Sequence, residues 1–187
     1  MPPCPALRHA GVTLVELLAV IAIIALVAAI AIPQATAVSP AVADAAAAEV
    51  AHAIRFAQRE AVRTGKYHVA EIDPARQTVR VYRLIGTTTV DEDTNNPVMH
   101  PVDKIPYRIT LAGNAATRAV VASSVFTYGA DTTTDITFGA DGSPVDVNFV
   151  KGKVSTSALS ADGVVRLQVG AVQRTVTVDK MTGRVTL

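Results

Sequence analysis

Residues 11–33 read GVTLVELLAVIAIIALVAAIAIP. Every residue from 17 to 32 is apolar, and a helix over residues 12–32 would be about 31 Å long, the thickness of a bilayer core. The stretch therefore predicts a membrane-spanning helix over residues 12–32. Glu16 is the exception, because it places a carboxylate near the start of an otherwise apolar segment.

The charges on either side of this segment predict its orientation. Arg8 precedes it, and the next charged residue after Glu16 is Asp44. Because basic residues stay on the cytoplasmic side, we expect a cytoplasmic N-terminus and an exported C-terminal domain. A secretory signal peptide cleaved after Ala37 is the alternative, since residues 35–37 read ATA. The apolar run is longer than the roughly 7 to 15 residues of such a signal, and a glutamate does not suit it.

Composition limits the classes of protein that fit the chain. Its 187 residues suit one domain of about 100 to 150 residues plus an appendage. With 17 basic and 16 acidic residues, the net charge of +1 gives no global basic field of the kind found in nucleic-acid binders. Cys4 is the only cysteine, so an intramolecular disulfide is excluded and the fold must rest on packing.

Two periodicities divide the rest of the chain. Over residues 41–65, apolar residues recur at three- and four-residue spacing, which predicts an amphipathic helix that ends at Gly65. From Lys66 onward the period changes to two, so residues 66–187 are expected to form an antiparallel β domain with residues 86–106 as a variable loop. The predicted strands cover residues 66–73, 77–85, 107–111, 119–128, 135–138, 164–170 and 173–179.

Residues 11–16, GVTLVE, combine a glycine, a glutamate and the start of the apolar helix in one motif. This motif resembles the class III signal of type IV pilins and type II secretion pseudopilins. The resemblance implies that a prepilin peptidase removes residues 1–11 as a leader by cutting between Gly11 and Val12. It also implies N-methylation of Val12, which stands where the family usually has phenylalanine.

Three further segments resemble the GspH/FimT group of minor pseudopilins: FAQREAVRTG at 56–65, DITFGADGSPVD at 135–146 and QRTVTVDKMTGRV at 173–185. Pro33 lies where many relatives carry a helix-bending proline, so residues 33–65 would continue the N-terminal helix into the periplasm. The resemblance implies a pilin-like α+β fold. In this fold a long N-terminal helix, transmembrane in its first half, packs on an antiparallel β-sheet or β-sandwich.

Glu16 is the candidate assembly residue. An unpaired glutamate carried to the centre of a bilayer costs up to about 2.5 to 3.5 kcal/mol, so the side chain needs a cation. Cleavage after Gly11 creates one at the amine of Val12, four residues away. The resemblance implies that Glu16 meets the amine of an adjacent subunit in a filament. Pairing within the same helix is the alternative.

The sequence offers no constellation for catalysis or for a metal. Its histidines are scattered without metal-ligand spacing, and nucleophile-elbow, P-loop and dinucleotide motifs are absent. Residues 91–96, DEDTNN, begin like a calcium loop, but Asn96 and Val102 replace the required glycine and glutamate. We expect a solvated acidic loop here, and an unrelated calcium site built from oxygen ligands is the alternative. We also expect no catalytic residues, no cofactor, no metal and no small-molecule substrate.

DNA binding is the second hypothesis, because FimT-like members of the resembling group bind DNA during natural transformation. Their signature is a C-terminal Gly-Arg-x-Arg, whereas residues 183–186 read GRVT and lack the second arginine. Nucleic acid is therefore the less favoured partner. The candidate phosphate contacts are Lys151, Lys153, Arg174, Lys180 and Arg184.

These features together predict a minor pseudopilin of the type II secretion system, which acts by filament assembly. Its expected partners are other pseudopilins, the prepilin peptidase and the inner membrane. Its expected location is the inner membrane, with a single spanning helix, a cytoplasmic N-terminus and a periplasmic C-terminal domain. A FimT-like minor type IV pilin is the alternative.

Overall fold

The computed structural model describes residues 13–35, 40–86, 90–111, 119–150 and 153–187. The chain divides into two compact units between residues 37 and 38. The first unit contains helix α1 (Leu14–Ala35), and the side chains of residues 14–27 are exposed. Among the residues that the structure describes, no helix combines the length and the apolarity needed to cross a membrane.

The second unit begins with helix α2 (Pro40–Thr64), which confirms the amphipathic helix predicted over residues 41–65. Gly65 ends the helix in the left-handed conformation, at φ +66°, and its N–H donates to the Ala61 carbonyl at 2.9 Å. The buried stripe is mostly alanine, so the helix backbone can lie close to the sheets. Its members are Ala43, Ala46, Ala47, Val50, Ala51, Ala53, Ile54, Ala57 and Ala61.

The described residues of the second unit form twelve strands, and every pairing between them is antiparallel, as expected for residues 66–187. In chain order they are β1 (His68–Asp73), β2 (Thr78–Ile85), β3 (Asp91–Glu92), β4 (Arg108–Thr110), β5 (Val120–Tyr128), β6 (Asp131–Thr133), β7 (Asp135–Phe138), β8 (Val145–Val150), β9 (Lys153–Ala158), β10 (Gly163–Val169), β11 (Val172–Val178) and β12 (Val185–Thr186).

Two five-stranded sheets and one hairpin account for these strands. The first sheet has the order β3-β2-β1-β7, with β4 also paired to β2, and the second has the order β12-β11-β10-β5-β6. β8 and β9 form a separate two-stranded hairpin. Helix α2 packs against β1 and β2 of the first sheet and against β10 and β11 of the second. Phe126, Phe138, Ile54 and Ile72 are among the largest fully buried side chains of the core.

All seven predicted strands are present, whereas β3, β6, β8, β9 and β12 were not predicted. Three of these five have only two or three residues, too few to show a period of two. β9 reads KVSTSA, and all six of its residues are exposed, so it has no apolar alternation to detect. β8 does alternate, with valines at 145 and 147, so a period of two is present in its sequence.

In the described part of residues 86–106, β3 is the one short strand, and the expectation of a solvated acidic loop is wrong at Asp93. This residue is only 3% exposed, and its carboxylate pairs with the guanidinium of Arg83 on β2. The carboxylate also accepts a hydrogen bond from the Asn96 N–H at 3.1 Å. Arg83 holds the pKa of Asp93 below its usual range. The buried charge is tolerated because it is paired and hydrogen-bonded.

Candidate functional site

The first candidate site is the start of α1. Gly11 and Val12 lie outside the described residues, which begin at Thr13. Thr13 caps the helix, because its Oγ1 accepts a hydrogen bond from the Glu16 N–H at 3.2 Å and its carbonyl accepts one from the Leu17 N–H at 3.1 Å. Thr13 and Glu16 also have the spacing of a capping box. The signal motif therefore specifies where the helix begins.

Glu16 lies in the first turn of α1 with its side chain exposed. A carboxylate at this position is stabilised by the positive end of the helix dipole. Among the described residues, no Lys, Arg or His side chain lies within ion-pair distance of it. The helix continues through Pro33 to Ala35, so the proline does not end it, and the bend at Pro33 stays a prediction.

A second group of contacts fixes the C-terminal turn to α2. Gln58 Nε2 donates to the carbonyl of Gly142 at 2.8 Å and to the carbonyl of Thr182 at 2.9 Å. Arg55 Nη2 donates to the carbonyl of Val185 at 2.9 Å. Sequence patterns did not single out these two polar side chains, because periodicity marks the apolar face of a helix and gives no partner for a polar residue.

The turn between β11 and β12 also satisfies its own polar groups. Asp179 Oδ1 accepts hydrogen bonds from the N–H and the hydroxyl of Thr182, both at 2.7 Å, and the Thr182 N–H in particular holds the pKa of Asp179 below its usual range. Gly183 has a φ of +66°, and a Cβ there would lie 2.7 Å from Gln58 Nε2. The residues that match part of a DNA-binding signature therefore form a tight turn against α2.

Among the residues that the structure describes, the candidate DNA contacts do not assemble into one basic patch. Arg174 on β11 pairs with the carboxylate of Asp44 near the start of α2, and this hydrogen-bonded pair raises the pKa of Arg174 and lowers that of Asp44. Arg184 lies in a groove that also contains Asp162 and Asp179. Arg174 and Arg184 are therefore each accompanied by carboxylates, which would repel a phosphate.

Lys180 and Arg184 both follow the end of β11, whereas Arg174 lies near its start. The Lys180 N–H donates to Asp162 Oδ1 at 3.1 Å, and the Lys180 Nζ lies 3.5 Å from the Ser160 carbonyl. The α2 residues that contact the two regions, Asp44 and Gln58, are about 21 Å apart along the helix axis. Lys151 lies outside the described residues, and Lys153 is exposed at the start of β9.

Residues 90–111 are anchored to both the first sheet and α2. Arg80 donates to the carboxylate of Glu71 through Nε and to that of Glu92 through Nη2, both at 2.8 Å. Tyr107 stacks on Phe56 of α2 with the ring centroids 4.8 Å apart. Burial raises the pKa of Tyr107 to about 12. This segment is therefore a packed part of the domain.

The three histidines of the described segments serve separate roles. His52 is exposed, and His100 Nδ1 lies 3.4 Å from the carboxylate of Asp103. His68 is buried, its Nδ1 lies 3.0 Å from the Lys66 carbonyl, and burial lowers its pKa. Within the described part of the chain, no three His, Cys, Asp or Glu side chains are arranged to hold a metal ion.

Comparisons with known proteins identify the family. Residues 7–32 match the prokaryotic N-terminal methylation motif. Residues 46–182, more than two thirds of the chain, match the type II transport protein GspH. The chain therefore belongs to the GspH family of type II transport proteins.

Among solved structures, the chain is similar to the minor pseudopilin EpsH from the type 2 secretion system of Vibrio cholerae. The two sequences are 14% identical, the TM-score is 0.46, and the alignment covers 77% of this chain and 94% of EpsH. The search of curated proteins found no match. The family matches confirm the interpretation of the chain as a GspH-type minor pseudopilin of type II secretion, which assembles with other pseudopilins.

Proposed function

We propose that the protein is made as a prepilin whose leader, residues 1–11, is removed before assembly. The prepilin peptidase cuts between Gly11 and Val12 and methylates the new amine of Val12. The match of residues 7–32 to the N-terminal methylation motif supports this maturation. The cap formed by Thr13 supports it as well, because it starts the helix directly beyond the cleavage site.

The mature subunit is held in the inner membrane by residues 12–32 before it enters the pseudopilus. Its N-terminus is cytoplasmic, and the second compact unit lies in the periplasm. Two features of the sequence support this topology: the unbroken apolar run at residues 17–32, and the position of Arg8 on its N-terminal side. The match to the methylation motif supports both this topology and the maturation step.

The protein acts by assembly rather than by catalysis. Glu16 pairs with the methylated amine of Val12 in an adjacent subunit, and this contact sets the axial position of each new subunit as it leaves the membrane. The exposed carboxylate in the first turn of α1 is the observation that carries this proposal. In a low-dielectric surrounding, such a pair of opposite charges is much stronger than in water.

The second compact unit supplies a rigid outer surface for contacts with partners. Gln58 and Arg55 tie the C-terminal turn to α2, and Arg83 and Asp93 tie residues 90–111 to the first sheet. Loops held in this way lose little conformational entropy when they bind, which favours specific association. We assign no catalytic or nucleic-acid role to this unit.

The maturation step is tested by mass spectrometry of the protein purified from its host membrane. We expect a chain that begins at Val12 and carries one added methyl group at its amine. A chain that begins after Ala37 would instead establish a cleaved secretory signal, and it would remove the proposed role in the filament.

A further inference from the structure

Strand β9 (Lys153–Ala158) is exposed along its whole length. All six of its residues are exposed, and among the described residues it pairs only with β8. In an antiparallel pair, alternate residues direct both their N–H and their C=O toward the neighbouring strand. Half of the backbone groups of β9 therefore point away from β8, along an edge that no described strand covers.

The outer strands of the two large sheets are built differently from β9. β3 and β12 have two residues each, β4 and β6 have three, and β7 has four. Short edge strands and charged residues are two means by which proteins prevent unwanted pairing, and β3, β4 and β6 each carry a charge. β9 has one charged residue, Lys153, at its first position, and it contains no proline. Its edge is thus long and weakly protected.

The two faces of the β8–β9 hairpin also differ in polarity. Val147 is opposite Thr156, and the alternation of side chains places Val145 and Val154 on this same face, whereas Asn148 and its partner Ser155 lie on the other. A two-stranded hairpin by itself is marginally stable in water. A third strand would stabilise it by completing the backbone hydrogen bonds.

A groove of about 440 Å³ lies beside the apolar face of the hairpin. Its lining includes Val147 and Val154 from the hairpin, Leu84 and Ile85 from β2, and Tyr67, which precedes β1. Val154 is 50% exposed and Ile85 is 45% exposed, so the groove offers apolar surface to a ligand. In strand addition, the edge supplies affinity through the backbone, and adjacent pockets select alternate side chains.

We propose that β9 is a strand-addition site that receives an extended segment of a neighbouring pseudopilin. An extended backbone is the partner whose donors and acceptors repeat with the spacing of those on the β9 edge. Apolar side chains at alternate positions of that segment fill the groove beside Val154. The inference rests on the proposed function, because assembly in one filament keeps segments of neighbouring subunits at high local concentration.

The experiment uses the full-length chain in its own host, in a Cys4→Ser background that leaves an introduced cysteine as the only thiol. Ser155→Cys and Ser157→Cys place a thiol on exposed positions of β9. Arg76→Cys is the control, because the Arg76 side chain is 79% exposed in the turn between β1 and β2, away from the hairpin. Benzophenone maleimide is attached to each thiol, and the assembled pseudopili are illuminated.

We expect both β9 positions to give a several-fold excess of adducts over Arg76→Cys, with the adduct mapped by mass spectrometry to an extended segment of another pseudopilin. Equal yields at the three positions would overturn the proposal. So would adducts mainly with a second copy of this chain or with a secreted protein. In parallel, immunodetection measures the amount of the unlabelled subunit in the filament. Its absence there would refute the proposed function, whereas its presence with equal adduct yields refutes only the role of β9.

Discussion

The side chain of Gln77 pairs with the backbone of Val121 in both directions. Gln77 Oε1 accepts a hydrogen bond from the Val121 N–H at 2.6 Å, and Gln77 Nε2 donates to the Val121 carbonyl at 3.1 Å. Gln77 lies in the turn between β1 and β2 of the first sheet, and Val121 lies in β5 of the second. The side-chain amide therefore bonds to Val121 as a neighbouring strand would, and it links the two large sheets.

Replacing this glutamine should weaken the contact between the sheets. We expect Gln77→Ala to lower the free energy of unfolding by about 2 kcal/mol or more, because buried Val121 would keep an N–H and a C=O without their partners. Gln173→Ala is the matched control at an exposed position, with an expected change within about 0.5 kcal/mol. Denaturant unfolding of the second compact unit measures both, and equal effects of the two variants would contradict this role for Gln77.

The second compact unit should fold without α1. We expect a fragment from Ser39 onward to be a soluble monomer, since the second compact unit has its own core of helix and sheet residues. Light scattering coupled to gel filtration measures its mass, and circular dichroism its fold. A well-folded fragment that is insoluble or strongly dimeric would show that the boundary or the architecture is wrong.

Two glycines with similar backbone conformations allow a matched test of the C-terminal turn. Gly183 and Gly129 have φ values of +66° and +64°, but a Cβ at Gly183 would lie 2.7 Å from Gln58 Nε2, whereas a Cβ at Gly129 meets nothing within 4 Å. Gly129→Ala should cost about 1 to 2 kcal/mol from backbone strain alone.

Gly183→Ala should cost about 1 to 3 kcal/mol more than Gly129→Ala, because it adds a steric conflict to the same strain. Thermal and denaturant unfolding of the two variants give the difference. A smaller loss at Gly183 than at Gly129 would mean that the turn does not pack against α2 as described.

His68 should make the stability of the domain depend on pH. Burial lowers its pKa in the folded state below the ordinary value of 6.5. The unfolded state therefore binds more protons than the folded state once the pH falls below 6.5, and the stability decreases as the pH falls further. Paired carboxylates such as Asp93, whose pKa is lowered from 3.8, lose their contribution only at more acidic pH.

The His68→Gln variant isolates this effect. We expect its free energy of unfolding to change less than that of the wild type between pH 6.5 and the onset of carboxylate protonation. Unfolding by urea at a series of pH values provides the comparison. Parallel curves for the two proteins over this window would exclude His68 as the source of the pH dependence.

The sequence predicts the helix and the strands in which apolar residues recur at a regular spacing. Helix α2 and seven strands appear where apolar spacing places them, because those side chains must face the core. The contacts that join the elements follow no such rule. Gln58 and Gln77 each bond to carbonyls distant in sequence, and no local pattern encodes a partner 44 to 124 residues away.

The candidate site shows the same division. The motif at residues 11–16 predicts the family from sequence, because one short segment contains the whole signal. The burial of Asp93 and the exposure of β9 depend on tertiary packing. A carboxylate in a polar segment normally indicates solvent, and a strand of serine and threonine resembles a loop, so neither feature was predictable from local composition.

If Glu16 acts between subunits, the Glu16→Ala variant should separate insertion into the membrane from entry into the pseudopilus. The measurement is the amount of cleaved subunit in the membrane compared with the amount in the assembled pseudopilus. Glu49→Ala, at an exposed position of α2, is the matched control and should assemble normally. We predict that Glu16→Ala is inserted and cleaved like the wild type but is missing from the filament. Incorporation and secretion at wild-type levels would contradict the account, and a defect in insertion or cleavage would instead indicate a pair within one helix.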